Sequence, residues 1–136
     1  GGGSLFPSSK KTIDSKFHYL KQDGREVYKS AVRGMTEAAL EILKRNSLSS
    51  NDIKLFIPHQ ANKRIIEACS QRLNLNSEQV YINIDRFANT TGGTIPICIS
   101  EAVQKNLLNE GDLILLAAFG AGFTWGATLV KWGNFN

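Results

Sequence analysis

The chain has 136 residues, enough for one domain with its own core. Hydrophobic residues make up 42% and charged residues 21%, ordinary globular usage, and no apolar run reaches the roughly 18 residues of a membrane span. Sixteen Lys and Arg against twelve Asp and Glu leave a net charge of +4, which suits an acidic partner or a phosphate-bearing ligand as well as an ordinary solvated surface.

The two cysteines, Cys69 and Cys98, lie in apolar-periodic stretches without CxxC or Cys/His ligand spacing. That pattern argues against a metal site or a disulfide framework and fits a reducing compartment. Nothing in the pattern asks for a nucleic acid or a membrane. Gly1 to Lys11 has no apolar stretch, so it does not read as a signal peptide, and the absence of an initial Met suggests a fragment or a processed chain.

Residues 1–24 read as an irregular arm rich in Gly, Ser, Pro and Lys, closed by the turn signal Asp23-Gly24. The domain proper is expected over 25–136. A helix is predicted from about Glu26 to Asn46, with Val27, Ala31, Met35, Ala39 and Ile42 or Leu43 at three-to-four spacing on the inner face. Lys44 and Arg45 sit in its last turn, where cations suit the helix dipole. Lys54–Ile57 reads as a short buried strand stopped by Pro58. A second helix follows from about Asn62 to Leu73, with Ile65, Ile66, Cys69 and Leu73 inward. Val80–Ile84 reads as a second strand and Asp85–Gly93 as a polar loop. A third helix starts near Ile95-Pro96, where proline is tolerated, and runs to about Leu108. Asp112–Phe119 and Thr124–Trp132 are the last two strands. Only Gly120-Ala121-Gly122-Phe123 joins them, too short for a crossover, so this pair must be antiparallel. The expected class is therefore α/β, a mixed sheet with helices on its faces, in the order α-β-α-β-α-β-β.

Three loops follow strands, where ligand sites of α/β sheets gather. They are Pro58-His59-Gln60-Ala61-Asn62, Asn89-Thr90-Thr91-Gly92-Gly93 and Phe119-Gly120-Ala121-Gly122-Phe123. Taken singly, His59 reads as a hydrogen-bonded loop residue, Asn89 as a turn residue and the Gly-rich hairpin as a tight turn. Together they offer an imidazole, a carboxamide and backbone N–H groups, the neutral donors that a developing oxyanion needs. On the residues alone, this points to an acyl-transfer or enolate-stabilising site.

The stretches QDGREVYKSAVRGM (22–35), IPHQANKRIIEAC (57–69), INIDRFANTTGGTIP (82–96) and NEGDLILLAAFGAGFTWGATLVKW (109–132) carry a resemblance. From about Lys21 onward the chain resembles the carboxy-terminal half of β-ketoacyl-acyl-carrier-protein synthase III, a thiolase-fold condensing enzyme. The resemblance implies a Cys-His-Asn site, no cofactor, and two substrates, acyl-coenzyme A and malonyl-acyl-carrier protein. A cysteine takes the acyl group; malonyl thioester then loses carbon dioxide; the carbanion attacks the acyl-cysteine. His59 and Asn89 match the family's His and Asn, two neutral donors for the enolate oxygen. The Ala121 N–H matches the oxyanion hole for the acyl-cysteine carbonyl. Asn62, Gly24 and Arg25 match positions along the pantetheine and coenzyme A channel. Lys29, Lys63 and Arg64 match the surface that docks the acidic carrier protein; Arg25, Lys29 and Arg33 share one helix face.

Ala88 stands where Gly is common before the family's Asn, and Thr91-Gly92-Gly93-Thr94 replaces a more usual Ser-Ala-Ala-Ser. The family's nucleophile lies in the amino-terminal half, which is absent here. Cys69 and Cys98 read as packing residues rather than as that nucleophile. The implied partners are the acyl-carrier protein, the amino-terminal half of the same enzyme and, in the complete enzyme, a second copy. The implied location is the bacterial cytoplasm or a plastid. Two other readings stay open: a related thiolase-fold acyltransferase with a different acceptor, and a non-catalytic module that binds carrier protein.

Overall fold

The computed structural model describes residues 2–19 and 21–133. Residues 1 and 20, within the expected arm, and 134–136, at the end of the expected domain, lie outside the described residues. The arm is less irregular than its composition suggests. Ser9 caps a five-residue helix, α1 (Lys10–Asp14), through a reciprocal pair of bonds with Thr12.

The long helix α2 (Gly24–Arg45) starts two residues before the expected point. The Asp23 carboxylate accepts the N–H groups of Arg25 and Glu26, both at 3.1 Å, and so satisfies donors that the helix itself cannot. Its inner face buries Ala31, Met35, Ala39 and Leu43, as the spacing predicts, while Val27 is half-buried near the helix start.

Strand β1 (Leu55–Pro58) is buried along its whole length and leads into α3 (Lys63–Arg72). Two further helices follow, the short α4 (Ile84–Phe87) and α5 (Thr94–Gln104), before β2 (Leu113–Gly120) and β3 (Thr124–Lys131). β1 pairs parallel with β2, and β2 antiparallel with β3, in the order β1-β2-β3. The sheet is therefore mixed, as expected.

Side chains alternate across it. Phe56, Leu115 and Ala117 face α2 and α3, while Leu55, Ile57 and Ile114 face Cys98 and Ala102 of α5. Helices thus cover both faces. Phe56 is fully buried, and a side chain of that size contributes on the order of 1.5–3 kcal/mol by leaving water.

The expected second strand, Val80–Ile84, does not form. One bridge joins Val80 to Phe56, with the Tyr81 N–H donating to the Phe56 carbonyl at 3.0 Å. The next ladder position on β1 is taken over by a side chain, because the Asn83 N–H donates to Gln60 Oε1 at 3.0 Å. Ile84 then opens α4. A side-chain amide thus ends the pairing before a strand can extend. The expected polar loop over Asp85–Gly93 likewise holds α4 and a 3-10 turn at Thr91–Gly93.

Candidate active site

The ladder between β1 and β2 carries His59 into place. The His59 N–H donates to the Ala117 carbonyl at 2.8 Å, extending the parallel pairing one residue past Pro58. His59 therefore stands at the carboxyl end of β1, beside the carboxyl end of β2 and its hairpin turn. Asn89 arrives from the other side, on the loop between α4 and α5. Both line one cavity of about 660 Å³, together with Ala121, Phe119 and Trp125. Both also line an adjoining cavity of about 560 Å³, again with Ala121, which runs toward the start of α2. The three loops picked out from the sequence do converge.

Each side chain is tied back at one end. Asn89 Oδ1 accepts the Thr91 N–H at 3.0 Å, leaving the Nδ2 amide as its other end. The His59 ring lies 2.6 Å, through Nδ1, from the Thr94 hydroxyl, leaving Nε2 as its other end. Burial pushes the imidazole below its ordinary value, so the ring is neutral near pH 7. A neutral imidazole and a carboxamide can stabilise negative charge on a substrate oxygen without handing over a proton.

The hairpin turn is shaped by Gly122, whose φ of +142° suits glycine, and a Cβ there would meet the Thr124 methyl at 2.8 Å. Ala88, just before Asn89, holds φ 55° and ψ −162°, a region that glycine occupies without cost.

The second cavity is lined by Lys21, Gln22, Asp23, Glu26 and Val27 at its far side. Gly24, Arg25 and Asn62 each lie one residue from this lining and are not themselves part of it. All three have local work. Gly24 and Arg25 open α2 beneath the Asp23 cap, and Asn62 caps α3 by accepting the Arg64 N–H at 2.9 Å.

Among the basic residues, Lys29 and Arg33 share a cavity of about 460 Å³ with Arg72, Glu26 and Tyr28. The Arg64 guanidinium lies 5.7 Å from the centre of the Tyr28 ring, a cation–π contact that joins α3 to the same patch. Lys63 sits 3.9 Å from Glu67 in an exposed pair, so part of its charge is answered on its own helix.

Neither cysteine lines either of the two adjoining cavities. Cys69 is buried, its thiol pushed up by burial, 3.9 Å from the Val32 carbonyl. Cys98 is buried beside Asn83, and burial pushes its thiol up to about 11. Both are packing residues, as their apolar-periodic setting predicts.

The sequence reading missed a buried polar network behind the site. Gln60 is fully buried; its amide donates to the carbonyls of Pro58 and Tyr81, and its oxygen holds the Asn83 N–H. The Asn83 amide donates to Glu101 at 2.7 Å, and Glu101 in turn pairs with Arg86 of α4 through both guanidinium Nη groups. This chain runs from the residue after His59 to a residue three before Asn89. The available signal was a glutamine placed at the end of an apolar strand, where only a satisfied amide is tolerated.

Among the described residues no group of three or more His, Cys, Asp or Glu comes together to hold a metal, and no helix is long and apolar enough to cross a membrane.

Residues 43–132 match the family model described as 3-oxoacyl-[acyl-carrier-protein] synthase III C terminal. The β-ketoacyl-[acyl-carrier-protein] synthase III of Koribacter versatilis is 54% identical over 97% of this chain, and that of Chlorobium phaeobacteroides 50% identical over 96%. In each case the chain spans 40% of the relative's length. The solved 3-oxoacyl-[acyl-carrier-protein] synthase III of Aquifex aeolicus superposes with a TM-score of 0.82 at 43% identity, over 84% of this chain and 37% of that one. The Thermus thermophilus synthase III gives 0.81 at 49% identity, over 84% and 36%. The fold is thus that of a thiolase-like condensing enzyme's carboxy-terminal portion, and the chain belongs to the 3-oxoacyl-[acyl-carrier-protein] synthase III family.

Proposed function

We propose that this chain is the donor-bearing portion of a β-ketoacyl-acyl-carrier-protein synthase III, which condenses acyl-coenzyme A with malonyl-acyl-carrier protein to begin fatty-acid synthesis. The observation that carries the reading is the convergence of His59, Asn89 and Ala121 on one cavity, the first two each tied back at one polar end. Decarboxylation of the malonyl thioester leaves negative charge on its carbonyl oxygen. The His59 imidazole and the Asn89 amide donate to that oxygen, and the Ala121 N–H donates to the oxygen of the acyl thioester under attack. Neutral donors suit this step, because a strong acid would quench the carbanion that must attack.

The acyl group is carried by a cysteine outside this chain, since both cysteines here are buried with raised thiol values. The cavity running toward α2 takes the pantetheine arm, with Gly24, Arg25 and Asn62 beside its wall. The carrier protein docks on Arg64, Lys29 and the exposed end of Lys63. No cofactor takes part; the partners are the carrier protein, the remainder of the same enzyme and a second copy, in the cytoplasm or a plastid.

The test is to incubate the chain with radiolabelled acetyl-coenzyme A, alone and with the separately expressed remainder of the enzyme. Label on the added portion only, followed by condensation when malonyl-carrier protein is supplied, is the expected result. Stable acetylation of Cys69 or Cys98 would contradict the reading.

A further inference from the structure

The Thr94 hydroxyl is the single ring partner of His59 among the described residues, and Thr94 is almost wholly buried, at 3% exposure. Thr94 is the first residue of α5, a helix anchored in the core by the fully buried Cys98 and Ala102. The hydroxyl oxygen has two neighbours: His59 Nδ1 at 2.6 Å and the Thr91 carbonyl at 3.2 Å. It owns one proton, so it donates to one of them only. Which one decides what His59 can do. If the proton goes to Thr91, Nδ1 must carry the ring proton, and Nε2 presents a lone pair to the cavity. If the proton goes to Nδ1, the ring proton sits on Nε2, and His59 presents a donor.

We infer that Thr94 is a positioning residue that donates to His59 Nδ1 and so holds the neutral imidazole in its Nε2–H form, the form that can bind an oxyanion.

Distance decides between the two arrangements. A contact of 2.6 Å is shorter than the usual N–H···O range and fits an O–H donor, whereas 3.2 Å lies beyond the usual range of O–H···O bonds. The tautomer of a histidine is set by the bond its other nitrogen makes, and here that bond comes from a rigid, buried helix start. A doubly protonated ring, which would donate from both nitrogens, is disfavoured by burial. The turn that leads into Thr94 also holds the second donor, because the Thr91 N–H donates to Asn89 Oδ1. One short run, Asn89 to Thr94, thus aims both the amide and the imidazole. The inference rests on the proposed role of His59 as an oxyanion donor.

The test uses the full-length enzyme with Thr94→Val, which keeps the shape and removes the hydroxyl, and Thr94→Ser, which keeps it. Carbon dioxide release from malonyl-carrier protein should fall on the order of 10- to 100-fold in turnover for Thr94→Val, the scale of the loss when a metal-bound histidine is deprived of its orienting partner. Its Michaelis constant and acyl transfer to the cysteine should change little, and Thr94→Ser should recover most of the loss. Nitrogen-15 spectra of labelled histidine, with His59→Gln used for assignment, should show a neutral Nε2–H ring in the wild type and loss of that preference in Thr94→Val. A wild-type ring protonated on Nδ1, or a Thr94→Val ring that keeps the Nε2–H form, overturns the inference. Failure of the donor role looks different. The Nε2–H form would be present in the wild type and lost in Thr94→Val, yet decarboxylation would be unchanged in both Thr94→Val and His59→Ala. That result would uphold Thr94's hold on the ring and overturn the reading of His59.

Discussion

Gly34 of α2 and Trp125 of β3 meet so closely that a methyl group on Gly34 would lie 2.7 Å from two indole carbons. The contact seats the indole against the helix, where it stacks near Phe119, with ring centres 6.4 Å apart, and walls the cavity shared by His59 and Asn89. The clash falls on ring atoms next to the Trp125 stem, so a small rotation of a side-chain tip cannot relieve it. Gly34→Ala gains roughly 1 kcal/mol in helix propensity but costs roughly 1–3 kcal/mol in overpacking. We expect a modest net loss of stability and a clear shift in Trp125 fluorescence in the full-length protein, with reduced condensation because the cavity wall moves. Unchanged fluorescence would show that the indole is not held by this contact.

Ala88 should be improvable. It sits at φ 55°, ψ −162°, where a side chain is strained by on the order of 1–3 kcal/mol, and glycine would relieve that at some cost in unfolded-state entropy. Ala88→Gly should therefore stabilise the protein by about 1 kcal/mol, read as a raised midpoint in chemical denaturation. A lowered midpoint would mean that the methyl group contributes packing that outweighs the strain.

Glu101 should dominate the acid sensitivity of the network behind the site. The Arg86 hydrogen bond, then that of Asn83, holds its carboxyl at about 2, against an ordinary value of 4.5. The unfolded chain binds more protons between those two values, so stability rises with pH there. The contribution is fully present above pH 4.5 and is lost as pH falls through about 2. Glu101→Gln should flatten the stability profile across that window, measured by denaturant titration at a series of pH values. An unaltered profile would show that the ion pair does not couple to folding.

The helices and the hairpin were legible because their signals are local. The spacing of Ala31, Met35 and Ala39 gives the buried face of α2, and the four-residue link from Gly120 to Phe123 forces an antiparallel pair. The expected strand at Val80–Ile84 failed because its composition is that of a strand while its hydrogen bonds are decided from afar, by the Gln60 side chain. The site was legible as three loops and two residue types. Their aim was not, because it depends on Thr94 and Thr91, polar residues that look like loop filler until the fold brings them against His59 and Asn89. The short helix α1 was hidden by a composition rich in Gly, Ser and Lys, although the Ser9–Thr12 capping pair marks its start.

Arg64 offers a test of docking. Its guanidinium lies over the Tyr28 ring on the patch that also carries Lys29. Arg64→Glu in the full-length enzyme should raise the Michaelis constant for malonyl-carrier protein far more than that for acetyl-coenzyme A. The effect should shrink as salt rises, since screening acts over about 8 Å at physiological ionic strength. Equal effects on both substrates, or no salt dependence, would place the docking surface elsewhere.

The central claim is that His59 and Asn89 serve one oxygen, that of the malonyl thioester as it loses carbon dioxide. Its most direct measurement is carbon dioxide release from malonyl-carrier protein by His59→Ala and Asn89→Ala in the full-length enzyme, beside acyl transfer from acetyl-coenzyme A to the cysteine. Losing one oxyanion donor costs on the order of 100- to 1000-fold, so decarboxylation should fall by that much in each variant while acyl transfer stays partly active. Near-normal carbon dioxide release by either variant would contradict the account.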